Sequence, residues 1–124
     1  MKRKLFPLGC VVVLAALAVL MAPAPAAAQD PLKTSPDQFK VLFENEQVRV
    51  LEFTGKAGSK SPMHSHPDHV VYIVTGGKSR FTAADGKVTE TDGKAGDVRW
   101  NAAGSHASEA ISDTKAILVE LKKK

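Results

Sequence analysis

The sequence contains a single cysteine, Cys10, and this scarcity excludes a fold held together by disulfides. Cys10 lies inside an apolar stretch near the amino terminus that runs from Leu5 to Met21. If that stretch is removed on export, the remaining chain has neither a disulfide nor a thiolate that could act as a nucleophile or metal ligand. The folded part must then be stabilised by its hydrophobic core.

Excess positive charge is also scarce once the amino terminus is set aside. The full chain has a formal net charge of +4, and Lys2, Arg3 and Lys4 supply three of these charges. Elsewhere positive charge clusters only at residues 122–124, which we interpret as a solvated tail. A nucleic-acid-binding protein would show a basic face or a recognisable binding motif, so we expect no nucleic-acid partner.

The first 28 residues have the layout of a secretory signal peptide. Three basic residues precede the apolar stretch, and the small residues Ala26 and Ala28 stand just before Gln29. Small side chains at these positions suit a signal peptidase, so we predict cleavage after Ala28 and a periplasmic or secreted protein.

Two other interpretations of this segment fit the sequence less well. A membrane anchor needs about 20 apolar residues, but Pro7 and Gly9 interrupt the stretch and leave only residues 10–22 unbroken. A lipoprotein would carry its lipid on Cys10, which precedes most of the apolar stretch instead of following it. We therefore expect no membrane attachment after the signal is removed.

The remainder divides into a polar lead-in and one domain. Residues 29–38 are polar, include two prolines and show no periodicity, so we predict a flexible amino-terminal arm. Residues 39–124 show short apolar alternations separated by turn residues, with Asp85-Gly86 placed as a tight hairpin, and no sustained helical period. The predicted strands are 41–43, 48–54, 70–75, 79–83, 88–91, 97–100, 106–111 and 116–121.

This pattern predicts an all-β domain. Eight short strands in one open sheet would leave exposed edges, which favour aggregation. Closure into a two-sheet antiparallel barrel or jelly roll removes most of that exposure. We therefore predict a single β-barrel domain over residues 39–124.

Histidines are few but concentrated. The chain has four, and three of them, His64, His66 and His69, fall within six residues, while the fourth is His106. Side chains two apart on a strand point to the same face, so His64 and His66 would lie side by side at a distance suited to one metal ion.

Two segments around these histidines resemble the motifs of the cupin superfamily. Gly58, His64, His66 and Gly76 match the first motif, G-x5-H-x-H-x3-4-E-x6-G. Residues 96–106 resemble the second motif, G-x5-P-x-G-x2-H-x3-N, and end at His106. The resemblance implies an antiparallel double-stranded β-helix, the jelly-roll barrel of cupins, with the histidines as metal ligands.

The departures from these motifs concern one ligand position in particular. Counting back from Gly76 places His69 where the cupin glutamate would stand, whereas counting back from Gly77 places Val70 there. We prefer His69, although on a regular strand it would face away from His66 unless the chain bends near Pro67. The alternative interpretation is an exposed loop histidine. In the second motif, Ala102 and Ala110 replace the usual proline and asparagine.

The resemblance therefore implies a divalent transition metal held by His64, His66, His69 and His106. Imidazole suits zinc, copper, iron and nickel, and the affinity order favours copper or zinc over manganese and iron. We expect a small oxygen-rich molecule as ligand or substrate. A metal-dependent enzyme of the dioxygenase or isomerase type and a non-catalytic binding module both fit, and no catalytic residue is assigned. Cupins also suggest a homodimer, paired through edge strands and the amino-terminal arm.

Strand alternation places further residues near this site. Val71, Ile73 and Phe81 are predicted to face inward, and Trp100 either closes the barrel floor or shapes the pocket. Further candidates for contact with the metal ligands or the bound molecule are Tyr72, Arg80 and Glu109.

Overall fold

The computed structural model describes residues 29–124, so the predicted signal peptide, residues 1–28, lies outside the described residues. Within this range one short helix precedes nine strands, and no helix is long and apolar enough to cross a membrane. The elements are α1 (Pro31–Thr34), β1 (Phe39–Glu44), β2 (Val48–Gly55), β3 (Lys60–His66), β4 (His69–Thr75), β5 (Gly77–Ala83), β6 (Val88–Gly93), β7 (Val98–Asn101), β8 (Gly104–Ala110) and β9 (Thr114–Leu121).

The strands form two sheets that face each other. One has five strands in the order β1-β2-β9-β4-β7, and the other has four in the order β3-β8-β5-β6. Every strand pair is antiparallel, and from β2 onward the chain passes repeatedly between the two sheets. This topology confirms the all-β, double-stranded β-helix predicted from the sequence.

Each of the eight predicted strands has a counterpart, and the structure adds β3. The inward positions of β3 are polar, because they include Ser61 and two histidines, so hydrophobic alternation gave no sign of a strand. The predicted hairpin at Asp85-Gly86 is confirmed. Gly86 has a φ of 87°, and the Ala83 amide donates to the Lys87 carbonyl at 2.8 Å. Glycine adopts this left-handed conformation without the steric cost that a side chain brings.

The hydrophobic core lies against the inner face of the five-stranded sheet. Leu51 is fully buried, and Phe39, Ala116 and Leu118 pack beside it. They belong to β1, β2 and β9, and along β9 buried positions alternate with half-buried ones as a strand with one face on the core requires. The four-stranded sheet contributes mostly small and polar side chains to the interior, so part of the barrel remains a cavity.

The segment predicted to be a flexible arm is attached to the barrel. The Gln29 carbonyl accepts a hydrogen bond from the Ser65 amide at 2.9 Å. Ser35 is buried, and its hydroxyl is hydrogen-bonded to that of Ser61. Gln38 donates from Nε2 to the Lys60 carbonyl at 2.9 Å. Polar side chains without periodicity suggested an arm, but here those polar groups find their partners on β3.

Candidate metal centre

Three histidines meet on the inner face of the four-stranded sheet. A bulge in β3 between Ser61 and His64 lets both of these side chains point inward, and His66 follows two residues later. His106 on β8 lies directly opposite His64 in the strand register. Ring centroids are 4.9 Å apart for His64 and His66, and 4.7 Å apart for His64 and His106.

These three imidazoles form a potential set of metal ligands. One nitrogen from each of His64, His66 and His106 lies within 4.8 Å of the others. Nitrogens bound to one ion at about 2.0 to 2.1 Å would approach one another slightly more closely than this. The predicted convergence of His106 on His64 and His66 is therefore confirmed.

The hydrogen bonds of His64 show which nitrogen is available to a ligand. Nδ1 lies 2.8 Å from the Pro62 carbonyl oxygen, which only accepts, so Nδ1 carries the proton. Nε2 then presents a lone pair, is buried, and has no hydrogen-bond partner among residues 29–124. Leaving such a group unpaired costs about 1 to 3 kcal/mol. A metal ion at the cluster would satisfy it, so these residues fit the metal that the cupin motifs imply.

A buried carboxylate orients His66. His66 Nδ1 lies 2.7 Å from Glu120 Oε2, and Arg49 donates from Nε to Glu120 Oε1 at 2.7 Å. Arg49 also bonds to Asp30 at 2.7 Å, which connects the segment before α1 to the cluster. With Nδ1 protonated toward Glu120, His66 directs Nε2 toward the other histidines. Histidine ligands of metals commonly donate their second N–H to a carboxylate or carbonyl in this way.

The electrostatic surroundings favour neutral imidazoles and an ionised Glu120. Burial, together with the neighbouring histidines, lowers the pKa of His106 to about 3. Burial also lowers the pKa of His64, outweighing the hydrogen bond to Pro62. For Glu120 burial acts to raise the pKa, but the hydrogen bonds from His66 and Arg49 outweigh it and the pKa is lowered. Metal ligands of this kind bind as neutral imidazoles, so no proton need be displaced from His64 or His106 at neutral pH.

His69 lies beside the cluster but on the other sheet. Pro67 and Asp68 separate β3 from β4, and His69 is the first residue of β4. The alternation of inward and outward side chains along β3 therefore does not determine which way His69 points. It is only 3% exposed, so the interpretation as an exposed loop histidine is wrong. Its ring centroid is 4.9 Å from that of His66, and its Nδ1 lies 2.8 Å from the Pro67 carbonyl. The other ring nitrogen of His69, Nε2, lies 3.3 Å from Asn101 Nδ2, so both of its nitrogens have a protein neighbour. Coordination by His69 therefore remains a prediction.

Glu120 and Arg49 are the site residues that the sequence reasoning missed. The sequence did contain a signal for Glu120. Ala116 and Leu118 occupy inward positions of β9, and Glu120 continues the same alternation, which places a carboxylate in the interior. A charged side chain in the inward phase of a strand is rare unless it is paired.

The histidines line a cavity of about 350 Å³. Val71, Ile73 and Phe81 line it as predicted, and the Phe81 ring centroid is 5.1 Å from that of His106. Trp100 points outward and is 57% exposed, so the prediction that it closes the floor or shapes the pocket is wrong. The other candidates for contact also lie outside the cavity lining: Tyr72, Arg80 and Glu109.

The structure combines a β-barrel with an internal histidine cluster, and several solved cupin structures are similar to it in fold. A cupin domain from Bordetella pertussis Tohama I superimposes with a TM-score of 0.62 at 22% identity, covering 68% of this chain and 92% of that one. A cupin superfamily protein from Desulfitobacterium hafniense DCB-2 gives a TM-score of 0.55 at 20% identity, covering 83% and 93%. An RmlC-like cupin from Desulfovibrio desulfuricans gives 0.51 at 22% identity, covering 70% and 86%.

No protein-family model matches the sequence, and no curated protein sequence matches it. The likeness therefore rests on three-dimensional structure, and at this level of identity it establishes the fold. The described chain has the cupin fold, as the two motifs implied.

Proposed function

We propose that this chain is an exported, metal-binding single-domain cupin, and that it is an enzyme of the oxygenase or isomerase type acting on a small oxygen-rich molecule. One observation supports the metal-binding part of this proposal. The buried Nε2 of His64 has no partner among the described residues, and it belongs to a cluster of three histidines whose nitrogens lie within 4.8 Å of one another.

In this proposal His64, His66 and His106 hold the ion through nitrogens that face the cavity. The Pro62 carbonyl and Glu120 keep the rings of His64 and His66 in place through their Nδ1 atoms. A divalent ion held by neutral imidazoles supplies a Lewis acid that attracts anionic oxygen atoms. The affinity order of such a ligand set favours copper or zinc over manganese and iron.

The cavity supports an oxygen-rich, anionic ligand with an apolar body. Its volume of about 350 Å³ lies in the range of small-molecule sites, which is roughly 300 to 1,000 Å³. Among the described residues that line it, none is Asp or Glu, whereas Arg99 and Lys87 are both present. Phe53, Phe81 and aliphatic side chains supply apolar walls.

A non-catalytic metal- or ligand-binding module is the second candidate, and a specific observation favours it. A general base within the cavity is lacking among the carboxylates of residues 29–124, because none of them lines it. The nearest buried carboxylate, Glu120, is already bonded to His66 and Arg49. Glu120 therefore orients the His66 ring, and it is poorly placed to accept a proton from a substrate.

Export belongs to the same proposal and is supported by the pattern of residues 1–28. Edman sequencing or mass spectrometry of protein from its native compartment tests it directly. We expect a chain that begins at Gln29 in a periplasmic or secreted fraction. A chain that retains Met1 and stays in the cytoplasm would contradict export and leave the metal site untouched.

The decisive experiment for function has two stages. Metal analysis of protein purified from its native compartment should find close to one divalent ion per chain. The loaded protein is then screened for oxygen consumption and for isomerisation with diketones, catechols and hydroxy acids. Turnover that disappears in the His64→Ala variant supports the enzyme. Saturable binding of these compounds without turnover supports the non-catalytic module. Absence of metal contradicts the metal-dependent enzyme and a metal-binding module, and leaves only a module that binds its ligand without metal.

A further inference from the structure

Two of the clustered histidines are linked, through side chains on other elements, to one short segment of the chain. Residues 29–38, which we call the amino-terminal segment, precede β1 and are hydrogen-bonded to β3. Pro31 in this segment is fully buried and Ser35 is 2% exposed, so the segment is part of the packed structure. It reaches His66 by one route and His64 by another.

The first route is a chain of ion pairs that ends at His66. Asp30 Oδ2 accepts a hydrogen bond from Arg49 Nη1 at 2.7 Å, and Arg49 Nε donates to Glu120 Oε1 at the same distance. Glu120 Oε2 in turn lies 2.7 Å from His66 Nδ1. The exposed fraction falls along this route, from 35% for the Asp30 side chain to 17% for Arg49 and 2% for Glu120. Arg49 is therefore held between two carboxylates, one of which belongs to the amino-terminal segment.

The second route is a pair of buried hydroxyl groups that ends at His64. His64 Nδ1 donates its proton to the Pro62 carbonyl, and Ser61 Oγ lies 3.2 Å from the same nitrogen. Because Ser61 Oγ can only accept from a protonated nitrogen, its own hydrogen is available to Ser35 Oγ, to which it is hydrogen-bonded. Both serines are buried. Removing the Ser35 hydroxyl would take this acceptor from Ser61, in direct contact with a candidate metal ligand.

Asp30 also changes the charge beside the histidine cluster. Neutral imidazoles bring no charge that would offset a divalent ion, and the pair of Arg49 and Glu120 is neutral by itself, so Asp30 makes the group anionic. Burial acts to raise the pKa of Asp30, but the hydrogen bonds from Arg49 and the Leu32 amide outweigh it, and the pKa is lowered. Burial lowers the pKa of His64, and the Asp30 and Glu120 carboxylates oppose this shift. A charge that favours a proton on His64 also favours a cation bound there.

We propose that Asp30 and Ser35 are positioning residues of the metal centre, and that docking of the amino-terminal segment on the barrel and metal binding strengthen each other. This inference rests on the metal binding proposed above, and it adds a part of the chain that does not line the cavity. Linkage requires that the factor by which docking tightens metal binding equals the factor by which bound metal tightens docking. The proposal can therefore be measured from both sides.

The first measurement is the zinc affinity of Asp30→Asn, obtained by competition with a chelator. Asparagine caps a helix as well as aspartate does, so α1 is preserved. Its single side-chain oxygen can accept from the Leu32 amide or from Arg49, whereas the carboxylate accepts from both. We expect the affinity to fall about 5- to 10-fold, with one ion per chain retained.

Two further variants complete this measurement. Ser35→Ala should also weaken zinc binding, because it interrupts the route to His64. Asp37→Asn is the matched control for Asp30→Asn, since Asp37 is an exposed carboxylate in the same segment. It should bind zinc as the wild type does. Unchanged far-ultraviolet circular dichroism in each variant excludes unfolding as the cause of weaker binding.

The second measurement is hydrogen exchange in the wild type with and without zinc. The amides of Lys33 and Ser35 are hydrogen-bonded within the amino-terminal segment and report its docking. We expect their exchange to slow about 5-fold or more when zinc binds. The Gly96 amide is bonded to the Ile73 carbonyl at 2.8 Å, in the half of β4 remote from the cluster, and should exchange at the same rate in both states. This measurement needs no variant, so it decides the proposal even if Ser35→Ala fails to fold.

The outcomes separate this proposal from the metal-binding proposal on which it rests. If zinc binds the wild type but binds Asp30→Asn and Asp37→Asn equally well, positioning by Asp30 is overturned while the metal centre stands. Exchange of Lys33 and Ser35 that zinc leaves unchanged would show that the segment only packs against the barrel, and would overturn the coupling. A wild type that binds no zinc would overturn the proposed metal binding itself, and this inference with it.

Discussion

The two sheets of this barrel differ in the side chains that they present to the interior and to the surface. The four-stranded sheet presents the clustered histidine nitrogens inside, from His64, His66 and His106, and ion pairs outside. The five-stranded sheet provides the hydrophobic core and Glu120 inside, and outside it carries exposed apolar side chains such as Val98 and Trp100. The difference teaches that the hydrophobic core and the candidate metal ligands lie mainly on different sheets. The five-stranded sheet stabilises the fold and positions His66 through Glu120, and the four-stranded sheet supplies the three clustered histidines. Substitutions on either sheet should therefore affect different measurements.

The largest expected effect comes from removing a histidine of the four-stranded sheet. His64→Ala should abolish stoichiometric metal binding, because two imidazoles remain where three converged. Arg80→Ala, on the outer face of the same sheet, is the matched control and should bind metal as the wild type does. Metal analysis after extensive dialysis measures both. A His64→Ala protein that retained one tightly held ion would contradict the assignment of metal binding to the histidines of the four-stranded sheet.

A smaller effect should follow from the five-stranded sheet, through its contact with His66. Glu120→Gln leaves an amide where a carboxylate accepts bonds from both His66 and Arg49, so one of those donors loses its acceptor. We expect metal affinity to fall about 10- to 100-fold while the stoichiometry stays the same. Glu109→Gln, a carboxylate outside the cavity, should leave the affinity unchanged. Competition with a chelator of known affinity provides the measurement, and equal affinities in the two variants would contradict a positioning role for Glu120.

The pH dependence of stability in the metal-free protein should reflect the buried histidines. His106 has a folded pKa of about 3 against an ordinary value of 6.5. Above 6.5 neither state binds the proton, and below it the unfolded state does so first, so the free energy of unfolding falls as pH falls from 6.5 toward 3. Between pH 6.5 and 5 this residue alone should account for about 2 kcal/mol. Urea unfolding with a chelator present measures the slope.

The lowered pKa values of His64 and His69 act in the same direction and steepen this dependence. His106→Leu should reduce the slope, which assigns part of it to that residue. Stability that stayed constant or rose between pH 6.5 and 5 would contradict neutral, buried imidazoles in the folded protein.

The smallest expected effect concerns His69, the one histidine on the five-stranded sheet. Its Nε2 faces the Asn101 amide nitrogen, and it lies outside the set of three whose nitrogens all lie within 4.8 Å of one another. We therefore expect His69→Ala to weaken metal binding by less than the loss caused by His64→Ala, with one ion per chain retained. Calorimetric titration of both variants decides this. Complete loss of binding in His69→Ala would show a four-histidine site that spans both sheets.

The sequence was sufficient to predict the fold and the three clustered histidines because both rest on local patterns. Strand alternation and turn residues predicted the all-β barrel, and the spacing of His64 and His66 predicted a shared face. The position of His106 followed from the second cupin-like motif. Each of these features can be recognised from residues that lie close together in the sequence or from a known motif.

Other features depend on contacts between residues far apart in the sequence and could not be predicted from local patterns. Glu120 lies 54 residues from His66, so their bond depends on how β9 and β3 are brought together across the barrel. Trp100 was predicted to close the barrel floor or shape the pocket, but the alternation of side chains along β7 turns it outward, and this becomes clear only from its pairing with Val70. The ordering of residues 29–38 likewise depends on β3, which supplies the Ser65 amide as a donor and the Lys60 carbonyl as an acceptor.

The central claim is that His64, His66 and His106 hold one metal ion together through cavity-facing nitrogens. X-ray absorption at the metal edge of the zinc-loaded protein tests this most directly, since it reports the nearest atoms and the imidazole rings behind them. The account predicts three or more nitrogen neighbours at about 2.0 to 2.1 Å with the outer-shell scattering of at least three imidazoles, and loss of this imidazole signature together with the bound zinc in His64→Ala. A spectrum dominated by oxygen, or one with a single imidazole that His64→Ala leaves unchanged, would contradict it.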